Sequence, residues 1–147
     1  MIMLRTLTTA ALLLCAGAVL AQTSPVGLWK TIDDKTKQEK SLVRISEAGG
    51  VLTGKIEKVL DPTKQDAVCE KCEGERKGKP IIGLLIIDSV KKREGEAYWD
   101  GGSILDPNNG ETYKVRLTPA DGGKKLDVRG YIGAPLLGRT QTWIRME

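Results

Sequence analysis

The sequence predicts an all-β protein, an antiparallel up-and-down barrel of about eight strands that follows a cleaved signal peptide. Two observations support this fold class. Short segments alternate apolar and polar residues, and a period of two with one apolar face is typical of a half-buried strand. Turn-forming residues separate these segments at regular intervals, which indicates a meander of neighbouring antiparallel strands. Eight such strands close most readily into a barrel, because closure removes both sheet edges; a flattened β-sandwich is the structural alternative.

The first twenty-one residues have the pattern of a secretory signal peptide. Arg5 supplies a positive start, an apolar run covers residues 10–21, and Val19-Leu20-Ala21 offers a cleavage site before Gln22. The run is 12 residues long, and a membrane-spanning helix needs about 20. We therefore expect cleavage near Ala21, a periplasmic or secreted protein, and no transmembrane segment in the mature chain.

Eight segments after the signal peptide fit short strands. Gly49-Gly50 can close a hairpin between the second and third, and Asn109-Gly110 does so between the fifth and sixth, because these residues tolerate positive φ. Asp121-Gly122-Gly123 serves the next junction. The fourth segment lies in the continuous apolar run 81–87, where length and β-branched residues favour a strand over a short helix. The predicted strands are 26–32, 41–47, 51–60, 82–90, 96–105, 111–118, 124–132 and 139–146.

The sixth and seventh strands show the clearest alternation. In the sixth, Tyr113, Val115 and Leu117 share one face. In the seventh, one face carries Leu126, Val128, Gly130 and Ile132, and the other carries Lys125, Asp127, Arg129 and Tyr131. The pattern predicts that the apolar face of each strand points into the barrel.

Composition excludes several classes of function. Removing 21 of the 147 residues leaves 126, the size of one domain, so residues 22–147 are expected to form a single barrel. The formal charge of +4 falls to +3 when Arg5 is lost, too small an excess for a nucleic-acid-binding face. The chain has no histidine, which excludes Ser-His-Asp and Cys-His hydrolases and all His-containing zinc sites. The sequence favours a protein that is not an enzyme, with no catalytic residue, metal or cofactor assigned.

Cys69 and Cys72 are the two cysteines that remain after the signal peptide. In an oxidising compartment the pair is expected to form a structural disulfide, although two intervening residues also occur in thiol–disulfide oxidoreductases and in half of a metal site. The pair lies in the long connection 61–80, of which half the residues are charged. A connection of this length without regular structure is commonly functional. It is therefore a candidate surface for an envelope protein partner.

Candidate ligand-binding residues follow from the barrel. Trp29 opens the first strand and either plugs one end, beneath an arginine of the neighbouring last strand, or forms a wall of a ligand cavity. By alternation, Trp99 and Tyr113 are expected to line the interior together with Val115, Leu126 and Val128. Arg129 and Arg139 are the basic groups that could anchor an anionic head group, although the register of Arg129 points it outward.

Six stretches spread over nearly the whole mature chain form one recognisable pattern. They are Gly27 to Asp33, Asp66 to Cys69 with Cys72, Gly74 to Gly78, Gly102 to Pro107, Val128 to Gly133, and Leu137 to Trp143. In these stretches the sequence resembles the bacterial family called domain of unknown function 2147. The resemblance implies an exported bacterial protein with a lipocalin-like β-barrel, and it supplies no activity and no catalytic residues.

The leading hypothesis is therefore an exported, non-enzymatic binding module that holds a small apolar or amphipathic ligand inside an eight-stranded barrel. One alternative is an envelope interaction protein that uses the 61–80 loop. The other is a thiol–disulfide redox protein that acts through Cys69 and Cys72.

Overall fold

The computed structural model describes residues 23–147, which form a closed barrel of eight antiparallel strands in chain order. The predicted signal peptide and its cleavage site lie outside the described residues. The strands are β1 Gly27–Ile32, β2 Glu39–Ala48, β3 Val51–Val59, β4 Leu85–Lys92, β5 Trp99–Asp106, β6 Glu111–Ala120, β7 Lys125–Tyr131 and β8 Gly138–Arg145. Trp29 and Lys30 of β1 pair with Arg145 and Ile144 of β8, and this pairing closes the wall. The predicted barrel is confirmed and the sandwich alternative is wrong.

The fourth strand is a strand as predicted, but it begins at Leu85 rather than at residue 82. The preceding apolar residues form a turn instead of continuing the strand. Gly83 has a φ of 91°, and its N–H donates to the carbonyl of Ile56 at 2.6 Å. The Leu84 N–H donates to the carbonyl of Ile81 at 3.1 Å. A left-handed glycine therefore sets the start of this strand, which the apolar run alone does not reveal.

The two ends of the barrel differ. At the closed end the chain turns at 49–50, 93–98 and 121–124. At the open end lie the β1–β2 turn 33–38, the long connection 60–84, the β5–β6 turn 107–110 and the β7–β8 loop 132–137. Strand direction alternates, so the connections at the open end are those that follow β1, β3, β5 and β7.

Trp29 plugs the closed end. Its side chain is fully buried, and the indole Nε1 donates to the carbonyl of Pro25 at 2.7 Å. The guanidinium of Arg145 lies 4.2 Å from the ring centroid, a cation–π stack. The same guanidinium donates to the carbonyls of Ser24 and Gly123, both at 2.6 Å. An arginine of the last strand does cover Trp29, and that arginine is Arg145.

Apolar side chains fill the closed half of the barrel above this plug. Those buried to 1% exposure or less include Val43, Ile45, Leu52, Ile87, Val90, Val115, Leu117 and Leu126. The predicted alternation is correct for Val115, Leu126 and Val128. At the end of β7 burial no longer follows the face: Tyr131 is buried although it shares the side of Arg129, and Ile132, which follows the last residue of the strand, is 67% exposed. Tyr131 packs on Gly138 of β8, where a Cβ would approach the tyrosine Cβ to 2.8 Å.

Candidate functional site

A cavity of about 1140 Å³ occupies the open end of the barrel. All eight strands contribute to its lining, so no single segment of sequence contains the site, and apolar side chains form a large part of its walls. The apolar side chains of these walls include Ile56, Ile86, Ile104, Val128 and Trp143. Of these, all but Ile104 are buried to 6% exposure or less. Ligand sites commonly combine such apolar walls with a few placed polar groups.

A chain of polar contacts runs from the bottom of the cavity to its mouth. The indole Nε1 of Trp143 donates to the side-chain oxygen of Gln141 at 3.0 Å. The Gln141 amide nitrogen lies 3.5 Å from Oδ1 of Asp34 in the β1–β2 turn. Oδ2 of Asp34 lies 2.9 Å from Nε of Arg139, whose side chain remains 50% exposed. The contacts fix the orientation of Trp143 and leave part of the Arg139 guanidinium facing the mouth.

Two hydroxyl groups, from the neighbouring strands β1 and β2, interrupt the apolar wall. The Thr31 and Ser41 hydroxyl oxygens lie 2.9 Å apart, and the backbone N–H of Ser41 donates to the Thr31 oxygen at 3.1 Å. Thr31 is only 7% exposed. A buried hydroxyl needs a hydrogen-bond partner, and this pair meets that need while it places polar atoms on the cavity surface.

Charged side chains surround the mouth in equal numbers of each sign. The Thr36 and Lys35 backbone N–H groups donate to Asp33 and hold the pKa of this carboxyl below its usual value. The Thr63 hydroxyl and backbone N–H lower the pKa of Asp61 in the same way. Both carboxylates therefore stay ionised at neutral pH. The charged lining residues are Asp33, Glu39, Asp61, Glu70 and Asp106, with Lys35, Lys40, Lys64, Lys71 and Arg139.

The 60–84 connection forms one side of the mouth and is held by its own hydrogen bonds. The Cys69 N–H donates to the carbonyl of Lys79, and the Gly78 N–H donates to the carbonyl of Cys69, both at 2.8 Å. The segment packs on the β5–β6 turn so closely that a Cβ on Gly110 would lie 1.9 Å from the Lys71 carbonyl oxygen. Six residues of the predicted interaction loop 61–80 line the cavity: Asp61, Lys64, Ala67, Val68, Glu70 and Lys71.

Cys69 and Cys72 form a disulfide, with their Cα atoms 5.4 Å apart. Both residues are buried, at 0% and 2% exposure, and pack within the apolar core. Reactive cysteines need exposure and a lowered thiol pKa, commonly at a helix N-terminus; this pair precedes only a three-residue 3-10 helix, Gly74–Arg76. The burial favours a structural bridge over redox catalysis. In this disulfide the two sulfurs are bonded to each other, so neither thiolate is free to bind a metal ion.

The double variant Cys69→Ser with Cys72→Ser is expected to remain a folded barrel. A bridge over so short a span contributes about 2 kcal/mol in the chain-entropy model, and the backbone hydrogen bonds of Cys69 do not depend on it. Urea unfolding followed by circular dichroism should show a decrease of that size with the β-type spectrum retained. Loss of that spectrum at low urea would show that the bridge holds the fold rather than the loop.

Tyr113 and Arg139, two of the five predicted ligand-binding residues, line the cavity. The Tyr113 hydroxyl accepts from the Asn109 amide at 2.9 Å and donates to Glu111 at 3.2 Å, which holds the ring at the mouth. Val128, also expected from alternation, lies in the wall, whereas Val115 lies in the packed core of the closed half.

Trp29, Trp99 and Arg129 lie elsewhere and require a correction to the predicted lining. Trp29 is the closed-end plug. Trp99 packs against the core at the start of β5, which is also at the closed end, with the Lys92 ammonium 5.1 Å from its ring centroid. Arg129 lies on the outer face of the wall and binds the β7–β8 loop. Trp29 and Trp99 point into the barrel but lie near its closed end, away from the cavity. Arg129 points outward.

Gln141 and Trp143 were not among the predicted ligand-binding residues. Their signal is in the sequence, since positions 139, 141 and 143 alternate on β8 and share one face. The contact of Asp34 with Arg139 joins residues at opposite ends of the chain and depends on barrel closure. Among residues 23–147, no group of three or more Cys, Asp or Glu side chains is arranged to hold a metal ion.

An eight-stranded antiparallel barrel that is plugged at one end and hollow at the other is a lipocalin-like fold. The chain belongs to the family described as an uncharacterized protein conserved in bacteria (DUF2147), whose model matches residues 27–145. Its structure is similar to that of a Helicobacter pylori protein, HP1028, described as belonging to the lipocalin family. The TM-score is 0.73 at 20% identity, over 85% of this chain and 84% of that chain. No curated protein shows a significant sequence match.

Proposed function

We propose that this protein is an exported, non-enzymatic binding module that holds one small amphipathic molecule in the cavity at the open end of its barrel. The observation that carries the proposal is the cavity of about 1140 Å³, with apolar walls and a polar mouth. Eight-stranded barrels of this type have room for one small ligand. The fold alone does not identify a ligand, so the chemical class of the ligand is inferred from the residues that line the cavity.

The lining favours an amphipathic ligand over a wholly apolar one. The apolar part of the ligand packs against Ile86, Val128 and Trp143, where buried area stabilises the complex by about 25 cal/mol per Å². The polar part lies at the mouth, near the half-exposed guanidinium of Arg139 and the hydroxyl of Tyr113. A purely apolar molecule would displace water from the exposed part of the Arg139 guanidinium without giving it a new hydrogen-bond partner.

Export is part of the proposal and has two supports. The apolar run 10–21 has the pattern of a signal peptide. The disulfide is of a kind that persists in oxidising compartments such as the periplasm or the extracellular space. Among the described residues, none of the helices is long and apolar enough to cross a bilayer.

Substitution of Gly130 by phenylalanine is expected to abolish ligand binding without unfolding the barrel. Gly130 lines the cavity, its φ is not in the left-handed region, and a Cβ there makes only ordinary contacts of 3.6 Å or more with Tyr113 and Ile104. A large side chain at this position therefore projects into the space that the ligand needs. Native mass spectrometry of the exported protein should show a bound molecule that the Gly130→Phe variant lacks.

A dye titration makes the test independent of what co-purifies. Wild type should bind an apolar naphthylamine dye that dodecanoate and dodecanol displace, and Gly130→Phe should bind it at least about tenfold more weakly. Arg44→Gln, which changes an arginine paired with Glu57 on the outer wall, should bind the dye as wild type does. Equal dye binding by wild type and Gly130→Phe, with no molecule co-purifying, would overturn the proposed function.

A further inference from the structure

The β7–β8 loop, residues 132–137, is uncharged and strongly exposed. Its sequence is Ile-Gly-Ala-Pro-Leu-Leu. The side chains of Ile132, Leu136 and Leu137 are 67%, 88% and 76% exposed, the highest values among the large exposed apolar residues in the described part of the chain. Exposed apolar side chains clustered on one element mark a contact site for a protein or a membrane.

Arg129 holds this loop in place from the outer face of β7. Its Nε donates to the carbonyl of Pro135 at 2.5 Å, and Nη2 donates to the carbonyl of Leu136 at 3.4 Å. Nη1 donates to the hydroxyl of Thr140 at 2.6 Å. The backbone carbonyls at the tip of the loop therefore have partners, and this lowers the free-energy cost of moving the loop out of water.

The loop lies beside the cavity mouth. It joins the open ends of β7 and β8, which contribute Val128 and Gln141 to the cavity lining. Of the seven large apolar residues exposed in residues 23–147, five lie at the open end and only Val26 and Met146 lie at the closed end. The exposed apolar surface of the described chain is thus concentrated where the cavity opens.

We propose that the 132–137 loop is a membrane-docking element, which inserts Ile132, Leu136 and Leu137 among the lipids of a bilayer and directs the cavity mouth toward the membrane surface. Docking depends only on the loop; the further step, that the ligand enters the cavity from that membrane, rests on the proposed function.

Three features favour a lipid surface over a second protein. The loop has six residues, whereas a specific protein interface uses about 20–30 residues a side. Its two leucines protrude rather than form a flat patch, and a fluid bilayer needs no shape complementarity to accept them. The charges lining the mouth are balanced, five of each sign, so attachment relies on apolar insertion rather than on attraction to anionic lipid.

Vesicle flotation tests the docking. The exported protein is expected to float with phosphatidylcholine vesicles, and Leu136→Ser with Leu137→Ser is expected to lower the partition coefficient about tenfold per leucine, roughly 100-fold in all. Raising the salt from about 0.05 M to about 0.5 M should leave wild-type binding nearly unchanged, because charge does not drive it. The matched control is Val26→Ser with Met146→Ser, which removes exposed apolar side chains at the closed end and should float as wild type does.

The other outcomes are distinguishable. Wild type that never floats, or a loop variant that floats equally well, would overturn the docking. A dimer in light scattering that the loop variant loses, without flotation, would assign the loop to a second copy of the chain instead. Dye titration separates docking from ligand binding: the loop variant should keep wild-type dye affinity, and Gly130→Phe should float normally. Flotation by a protein that binds no dye would leave the docking intact and remove the proposed function.

Discussion

Replacement of Trp29 by alanine is expected to lower the free energy of unfolding by about 3–5 kcal/mol, the range for large buried aromatic side chains. Trp29 is fully buried, so its truncation would leave a large cavity at the closed end. The Pro25 carbonyl would lose the indole N–H, and Arg145 would lose the ring beneath its guanidinium. Urea unfolding followed by circular dichroism measures the change without relying on tryptophan fluorescence.

The expected loss is a large fraction of the total stability of a single domain, about 5–15 kcal/mol. Trp99→Ala provides the matched control, since Trp99 is also at the closed end but only partly buried. Its substitution should reduce the free energy of unfolding by less than half as much. Equal losses for the two variants would show that Trp29 is not the main plug of the closed end.

The position of Trp29 also shows what alternation can and cannot reveal. Alternation predicts which side of the wall a side chain lies on, and it places Val115, Leu126 and Val128 correctly. It does not give the height along the barrel axis, which depends on strand direction and on the stagger between strands. Trp29 and Trp99 are inward residues near the closed end, whereas Tyr113 and Trp143 are inward residues near the cavity.

Contacts that depend on barrel closure could not be predicted from the sequence either. Asp34 meets Arg139 because the first and last strands are neighbours, and each residue alone resembles an ordinary surface charge. The outward register of Arg129 was predictable, but its function was not: it binds loop carbonyls rather than a ligand. The disulfide was predictable from the cysteine spacing, but its burial in the core was not.

Substitution of Gly110 by alanine is expected to weaken ligand binding about tenfold while the barrel stays folded. Gly110 has a φ of 74°, and its added Cβ would lie 1.9 Å from the Lys71 carbonyl oxygen, a backbone atom that must move away. The 60–84 connection would then leave its place on the β5–β6 turn. If about one protein molecule in ten kept the connection in its original position at the cavity mouth, the apparent affinity for the ligand would fall about tenfold. The naphthylamine dye titration measures it.

Gly74→Ala separates the collision from the backbone strain. Gly74 lies in the same connection with a φ of 61°, but a Cβ there meets nothing within 4 Å. Both variants bear the cost of a left-handed alanine, about 1–2 kcal/mol, so both should be somewhat less stable than wild type. Only Gly110→Ala should lose dye affinity, because only that change displaces the rim of the cavity. Equal affinities for the two variants would mean that the ligand is held by the strand walls alone, and that the disulfide-bridged connection has no part in binding.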